Sequence, residues 1–315
     1  MAAPPDSTEQ QLPNFDDLAM IDQLGLRVSW GVFGEDDRIG TVNLLTPDRT
    51  LAAIRTITTG EAIPLTLPLN EPRPIGQPRK PYVHTIFDIN RNTADDFLDS
   101  YYLQGSSQWD GLRHVRCREF GFYNGADASS LGVDQWAARG GINGRAVLLD
   151  VDRYLSKHGT PLDQTAEMAI STALLEATCA YQNVSLSPGT ILLIRTGWMT
   201  AYYEGDDERK SELVNSEATP GLEATENMAR YLWNNGIAAA ATDNTTFEVS
   251  PGNAETGSLH RRLIPCLGIP VGELWSLDAV AARCVAESRY EFFVTSVPLY
   301  LIGGVGSPPN AIAIW

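Results

Sequence analysis

The chain has 315 residues, 43% hydrophobic and 20% charged, the balance of a folded globular protein and not of a disordered one. Its 23 basic and 39 acidic residues leave a net charge of −16, which argues against nucleic-acid and anionic-membrane partners. Cys117, Cys179, Cys266 and Cys284 form no C-x-x-C pair and no run of about 18 apolar residues occurs, so a thiolate metal site and a membrane span both lack support.

Taken in chain order, the N-terminus MAAPPDSTEQQLPNFDD has neither a basic n-region nor an apolar core, which predicts a cytoplasmic protein. Residues 1–14, polar and Pro-rich, are expected to form a flexible arm ahead of a single domain over 15–315. LTPDRTLAAIRTITTG reads as a helix with Thr46 as N-cap, Pro47 at the first helical position and Gly60 beyond its end. A strand from Ala62 runs into a loop by Asn70. Residues 71–100, rich in Pro, Arg and Asp, read as a long surface excursion, and loops of that length often act as lids.

RAVLLDV (145–151), TILLIRTGW (190–198) and IAAAATD (237–243) read as strands. Helical stretches lie between them, in TPLDQTAEMAISTALLEATCAYQN and in ATENMARYLWNNG, which stops before Gly236. A further helix falls over 258–268, and EFFVTSVPLYLIG reads as the final strand. Alternating strands and helices indicate an α/β fold, with a mixed or parallel central sheet flanked by helices.

The four histidines are His84, His114, His158 and His260. H-E-x-x-H, G-x-S-x-G, G-x-G-x-x-G and the P-loop pattern are all absent, and GGVG at 303–306 has no helix after it to receive a phosphate. His84 and His158 have no polar company in the sequence. The densest polar stretch, YLQGSSQWDGLRHV (102–115), holds Gln104, Gln108, Asp110 and His114; a second, LHRRLIPCLGIPVGELW, holds His260 and Glu273. Asp243 closes a strand between them. Carboxylates with imidazoles suit either a divalent metal or general acid–base work. Each residue also has a structural reading: Asp110 before Gly111 as a turn, His114 in the core, Glu273 as a helix cap, His260 on a helix surface.

At these residues the chain resembles the metal-dependent cyclase family that includes bacterial kynurenine formamidase and isatin hydrolase. The family's H-x-G-T-H-x-D-x-P-x-H corresponds to Q-G-S-S-Q-W-D-G-L-R-H at 104–114: Asp110 and His114 match, while Gln104 and Gln108 replace the two leading histidines. W-G followed by D-x-x-G-T-x-N-x-L-T between Trp30 and Thr46, YNG at 123–125, L-H-x-x-L-I-P-x-L-G-I-P-x-G-E at 259–273 and the closing TSVPLYLIGGVGSPPNAIAIW extend the resemblance over nearly the whole chain.

The resemblance implies a swivelling β/β/α fold and one catalytic domain. It implies His114 as general base or proton shuttle, with Asp110, His260 and Glu273 as the other catalytic residues. It implies either one divalent ion, Mn²⁺ or Zn²⁺, on Gln108, Asp110, His260 and Glu273, or the same site working without metal as a carboxylate–imidazole acid–base pair. The two glutamines favour harder ions, because an amide oxygen is a poor zinc ligand. The reaction it implies is hydrolysis of a cyclic or aryl amide or a lactone by metal- or His114-activated water. The alternatives are a lyase or cyclase reaction on a carbonyl metabolite and a catalytically silent ligand-binding relic. Trp109, Gln104, Tyr123 and Trp30, with Phe122, are expected to contact substrate. A homodimer or homotetramer is expected, with Trp233, Trp275 and Trp315 as interface candidates.

Overall fold

The computed structural model describes residues 12–73, 76 and 78–315. The fold is mixed α/β, built on a nine-stranded sheet flanked by helices, as expected. Counting the strands used below in chain order, these are β1 (Ala62–Pro64), β2 (Val83–Asn90), β3 (Thr93–Asp99), β4 (Gln108–Asp110), β5 (Ile142–Asp150) and β6 (Thr190–Arg195). The remainder are β7 (Ile237–Thr242), β8 (Val271–Glu273), β9 (Glu291–Ser296), β10 (Gly306–Ser307) and β11 (Ala311–Ile314). The large sheet runs β10-β4-β8-β7-β6-β5-β9-β11-β1.

The middle four strands, β8, β7, β6 and β5, are mutually parallel, and the strands on either side are antiparallel. Every residue of β6 and β7 is buried, as continuous apolar runs require when helices cover both faces. Because the four are parallel, their carboxyl ends share one edge, and Asp150, Arg195, Thr242 and Glu273 line up along it. Ligands in open α/β sheets bind outside that edge, where strand order reverses.

Several boundaries differ from expectation. The helix capped by Thr46 ends at Ile54, since Thr56 turns back to the Ala53 carbonyl. The helix before β6 covers only Thr172–Gln182, and Trp198 starts a helix of its own. The expected helix over 258–268 is one turn, Leu259–Arg261, continued by a π-helix, Arg262–Leu267. β9 stops at Ser296, two residues before Pro298, which cannot donate to a ladder.

The 71–100 excursion is largely a hairpin. β2 and β3 pair with each other and, among the described residues, with no other strand. Of the expected N-terminal arm, residues 1–11 lie outside the described residues. Pro13 is tied down, its carbonyl accepting the Trp233 indole N–H at 2.9 Å. The three interface tryptophans are a correction: Trp233, Trp275 and Trp315 are buried in the core.

Candidate active site

β4 and β8 pair with Gln108 opposite Glu273 and Asp110 opposite Val271. Side chains alternate along a strand, so Gln108 and Asp110 share a face with Glu273, while Trp109 turns to the other. That alternation corrects one expectation. Trp109 is fully buried, its indole donates to Ser296 Oγ at 2.9 Å, and it packs edge-on against Trp275, away from substrate.

On the polar face, Gln108 Nε2 donates to Glu273 Oε2 at 2.7 Å, and Gln104 donates through a short hydrogen bond to Asp110 Oδ1. Gln104 Nε2 also lies 3.1 Å from His114 Nδ1. His260 arrives from the short helix with Nε2 at 3.2 Å from Glu273 Oε1 and 3.5 Å from Asp110 Oδ2. The two sequence clusters therefore meet, with the rings of His114 and His260 centred 6.4 Å apart. All six side chains line a cavity of about 380 Å³ that opens to solvent.

Sequence reading missed Glu248. Its Oε2 accepts the His260 backbone N–H at 2.6 Å and lies 3.2 Å from His260 Nδ1, while Ser258 Oγ donates to Oε1. The only signal was a lone acid twelve residues before a histidine, and no motif contains it. The Phe247 N–H, next to it, donates to Glu273 Oε1 at 2.9 Å.

Electrostatics follow from this packing. Burial alone would lower the pKa of His260, but Asp110, Glu248 and Glu273 outweigh it and hold the imidazole well above its ordinary value. Burial would raise Asp110 and Glu248. The hydrogen bond from His260, assisted for Asp110 by the charge of His114, holds both below the usual carboxylate range.

The remaining sequence candidates brace this site. Asp37 accepts hydrogen bonds from the Gly40 N–H, Asn43 Nδ2 and the Tyr123 hydroxyl. The Thr41 N–H donates to the Gly268 carbonyl, and the Trp30 indole donates to the Pro265 carbonyl at 2.8 Å. Trp30 and the buried Tyr123 thus hold the π-helix that follows His260; neither lines the cavity. Phe122 is buried beneath Arg116. Among the other histidines, His84 pairs with Asp96 at 2.6 Å on the exposed hairpin, and His158 bonds the Tyr154 carbonyl.

A larger cavity, about 670 Å³, lies over Asp150, Arg195 and Asp278. Arg195 pairs there with Asp150, Asp152 and Asp278 at 2.8–2.9 Å, one guanidinium shared by three carboxylates. Asp243, buried nearby, accepts from the Thr196 N–H and hydroxyl and the Gly197 N–H, and burial pushes it up to about 6.

The polar face also fits a cation. Asp110, His260 and Glu273 each offer a ligand atom, all within 4.8 Å of one another. Gln108 Oε1 is buried without a hydrogen-bond partner among the described residues, and Asp110 Oδ2 has only the long approach of His260 Nε2 at 3.5 Å. An orphaned amide oxygen next to this triad is what a hard divalent ion would satisfy.

Comparisons with known proteins identify the family and the fold. The Cyclase family model matches residues 63–249, more than half of the chain. The chain belongs to the cyclase family. A solved structure described as a novel cyclase is 32% identical, covers 91% of this chain and 99% of its own, and superposes with a TM-score of 0.80. Isatin hydrolase A of Labrenzia aggregata, bound to benzyl benzoate, shares the cyclase fold at 14% identity and TM-score 0.58, over 80% of this chain and 93% of its own. Isatin hydrolase A of Ralstonia solanacearum does so at 16% identity and TM-score 0.59, over 85% and 97%. No curated protein matches this chain. No helix among its described residues is long and apolar enough to cross a membrane.

Proposed function

We propose that this cyclase-family chain is a hydrolase that opens a cyclic or aryl amide or a lactone by adding water at its carbonyl carbon. The convergence of Asp110, His260 and Glu273 with His114 across one open cavity carries the reading. The isatin hydrolases with the same fold support it.

Gln108, Asp110, His260 and Glu273 would hold one divalent ion. A bound ion lowers the pKa of water and polarises a carbonyl. Three oxygen donors against one imidazole favour Mn²⁺ or Mg²⁺ over Zn²⁺.

The chain's own groups divide the remaining work. Glu248 holds the His260 Nδ1 hydrogen, which turns Nε2 towards Asp110 and Glu273. Gln104 Nε2 faces two acceptors, Asp110 Oδ1 and His114 Nδ1. With Nδ1 occupied as an acceptor, the His114 ring in its neutral form carries its proton on Nε2, an assignment that follows from the hydrogen-bond network. His114 therefore presents an N–H to the substrate carbonyl as it becomes an oxyanion. This differs from the general-base role that the resemblance implies. The carboxylates of Asp110 and Glu273 are the acceptors within the cavity for the proton that leaves water, and that proton returns to the departing nitrogen or oxygen.

Incubation with an aryl formamide, a cyclic imide and a lactone in ¹⁸O-water, followed by mass spectrometry, tests this. A ring-opened product carrying one added ¹⁸O-water, or ¹⁸O-labelled formate with the free aryl amine from the formamide, supports hydrolysis. An isobaric product, or one that has lost water, assigns the site to lyase or cyclase chemistry.

A further inference from the structure

Two cysteines distant in sequence meet beside the candidate site. Cys117 and Cys266, 149 positions apart, are both buried as free thiols, and their Sγ atoms lie 3.6 Å from each other. Cys179 and Cys284 belong instead to the main core.

Each thiol of the pair sits on one of the two segments that build the site. Cys117 follows His114 by three residues, in a turn closed by its own N–H on the Gly121 carbonyl at 2.7 Å and by the Phe120 N–H on its carbonyl at 3.0 Å. Cys266 lies in the π-helix that continues from the helix of His260. A bond between the two sulfurs would join the segments whose histidine rings are centred 6.4 Å apart.

The surroundings make Cys117 the more acidic thiol. Its hydrogen bond with Cys266 holds it below its ordinary pKa against the effect of burial, and the charges of Arg261 and Arg118 add to this while Glu119 opposes it. The same hydrogen bond, with burial, pushes Cys266 up. A thiol with thiolate character beside a second cysteine is the arrangement of reversible redox pairs.

The layer over the sulfurs is thin. Cys117 stands between the exposed Arg116 and Arg118. Ile21 and Val28 pack on the pair, with Phe120 beside them, in a small cluster separate from the main core. Ile21 and Val28 come from a hairpin, Ala19–Ile21 with Leu26–Val28, that pairs with no other strand among the described residues. A two-stranded hairpin held in this way opens more readily than a core strand, and its opening uncovers the thiols.

We propose that Cys117 and Cys266 are a reversible disulfide pair, closed by a peroxide-class oxidant, that staples the loop after His114 to the π-helix after His260. The Cys117 thiolate attacks one peroxide oxygen; the O–O bond breaks, the other oxygen leaves as hydroxide and takes up a proton, and Cys117 becomes a sulfenic acid. The Cys266 sulfur then attacks the sulfenic sulfur; the S–O bond breaks, the S–S bond forms, and the hydroxyl leaves as water with the Cys266 proton. The two thiols lose two electrons and two protons, and one peroxide becomes two waters. A small-molecule dithiol returns both electrons and reopens the bond by exchange.

Thiol mapping of the full chain tests the proposal and reads no enzyme activity, so its outcome is separate from which reaction the site catalyses. Fully reduced protein is treated with equimolar hydrogen peroxide, unfolded in iodoacetamide, and analysed by intact mass and by peptide mapping without reductant. Two of the four cysteines are expected to escape alkylation, with the Cys117 peptide joined to the Cys266 peptide, and dithiothreitol is expected to restore all four. In Cys266→Ala, where the second step has no partner, Cys117 is expected to stop at the sulfenic acid and to be labelled by dimedone. Four alkylated cysteines after peroxide overturn the proposal. So does a linkage through Cys179 or Cys284, an irreversible sulfinic acid at Cys117 of the wild type, or a Cys266→Ala protein in which Cys117 takes up no dimedone.

Discussion

Glu248 grips His260 twice, taking its backbone N–H at 2.6 Å and facing its Nδ1 at 3.2 Å with the same carboxylate oxygen. One side chain thus sets both where the short helix begins and which ring nitrogen faces Asp110 and Glu273. Glu248→Gln keeps the size but loses the charge that fixes the ring. Mn²⁺ affinity, measured by calorimetry on chelator-treated protein, is expected to fall about 10–100-fold, as for other carboxylates that orient a ligand histidine. Unchanged affinity would show that Glu248 only caps the helix.

His114 lines the cavity and is partly exposed, so its removal leaves no large void. His114→Ala is expected to cut kcat by roughly 10²–10³, the usual cost of losing one oxyanion donor, while stability stays within about 1 kcal/mol. Full turnover in this variant would remove His114 from the mechanism.

Gln108 stands where the family motif has an imidazole. Gln108→His places a better zinc ligand beside Asp110 and Glu273, and is expected to raise Zn²⁺ affinity relative to Mn²⁺ by about tenfold or more. Competitive metal loading read by elemental analysis checks it. An unaltered Zn²⁺ to Mn²⁺ ratio would place the ion away from this residue.

Asp243 gives a pH signature of its own. Its folded-state pKa, pushed up to about 6 by burial, exceeds the ordinary value of 3.8, so the folded protein holds the extra proton between those values. Its contribution to stability is full below the ordinary value and is lost as pH rises through about 6. Asp243→Asn removes the titration. The stability gap should move in the variant's favour by roughly 2–3 kcal/mol between about pH 4 and pH 7, by urea denaturation. A constant gap would place the carboxylate outside this linkage.

Gly40 adopts a φ of +65°, and a Cβ built there would lie 2.0 Å from the Gly268 carbonyl oxygen. That carbonyl ends the π-helix after His260 and accepts the Thr41 N–H. Gly40→Ala should cost about 3 kcal/mol or more, through strain and through loss of the close approach. Denaturation with an intact m-value checks it.

Much of the chemistry was legible in the linear order. Asp110, His114, His260 and Glu273 stood out as carboxylates and imidazoles in two polar stretches, and the resemblance of those stretches to a family pattern, not their spacing alone, made them candidates. The parallel core was legible because apolar runs such as TILLIR and IAAAAT have few other places to go.

What tertiary structure alone decided was direction and company. Trp109 sits between two site residues in sequence, yet strand alternation sends it to the opposite face, and Trp30 and Tyr123 became braces because their polar tips found partners on other segments. Glu248 acquired its place only through a fold that returns it to His260, a contact no spacing rule encodes. The β2–β3 hairpin read as a loop because residues 71–100 are rich in Pro, Arg and Asp, and its two strands pair only with each other, so no core-facing alternation marks them.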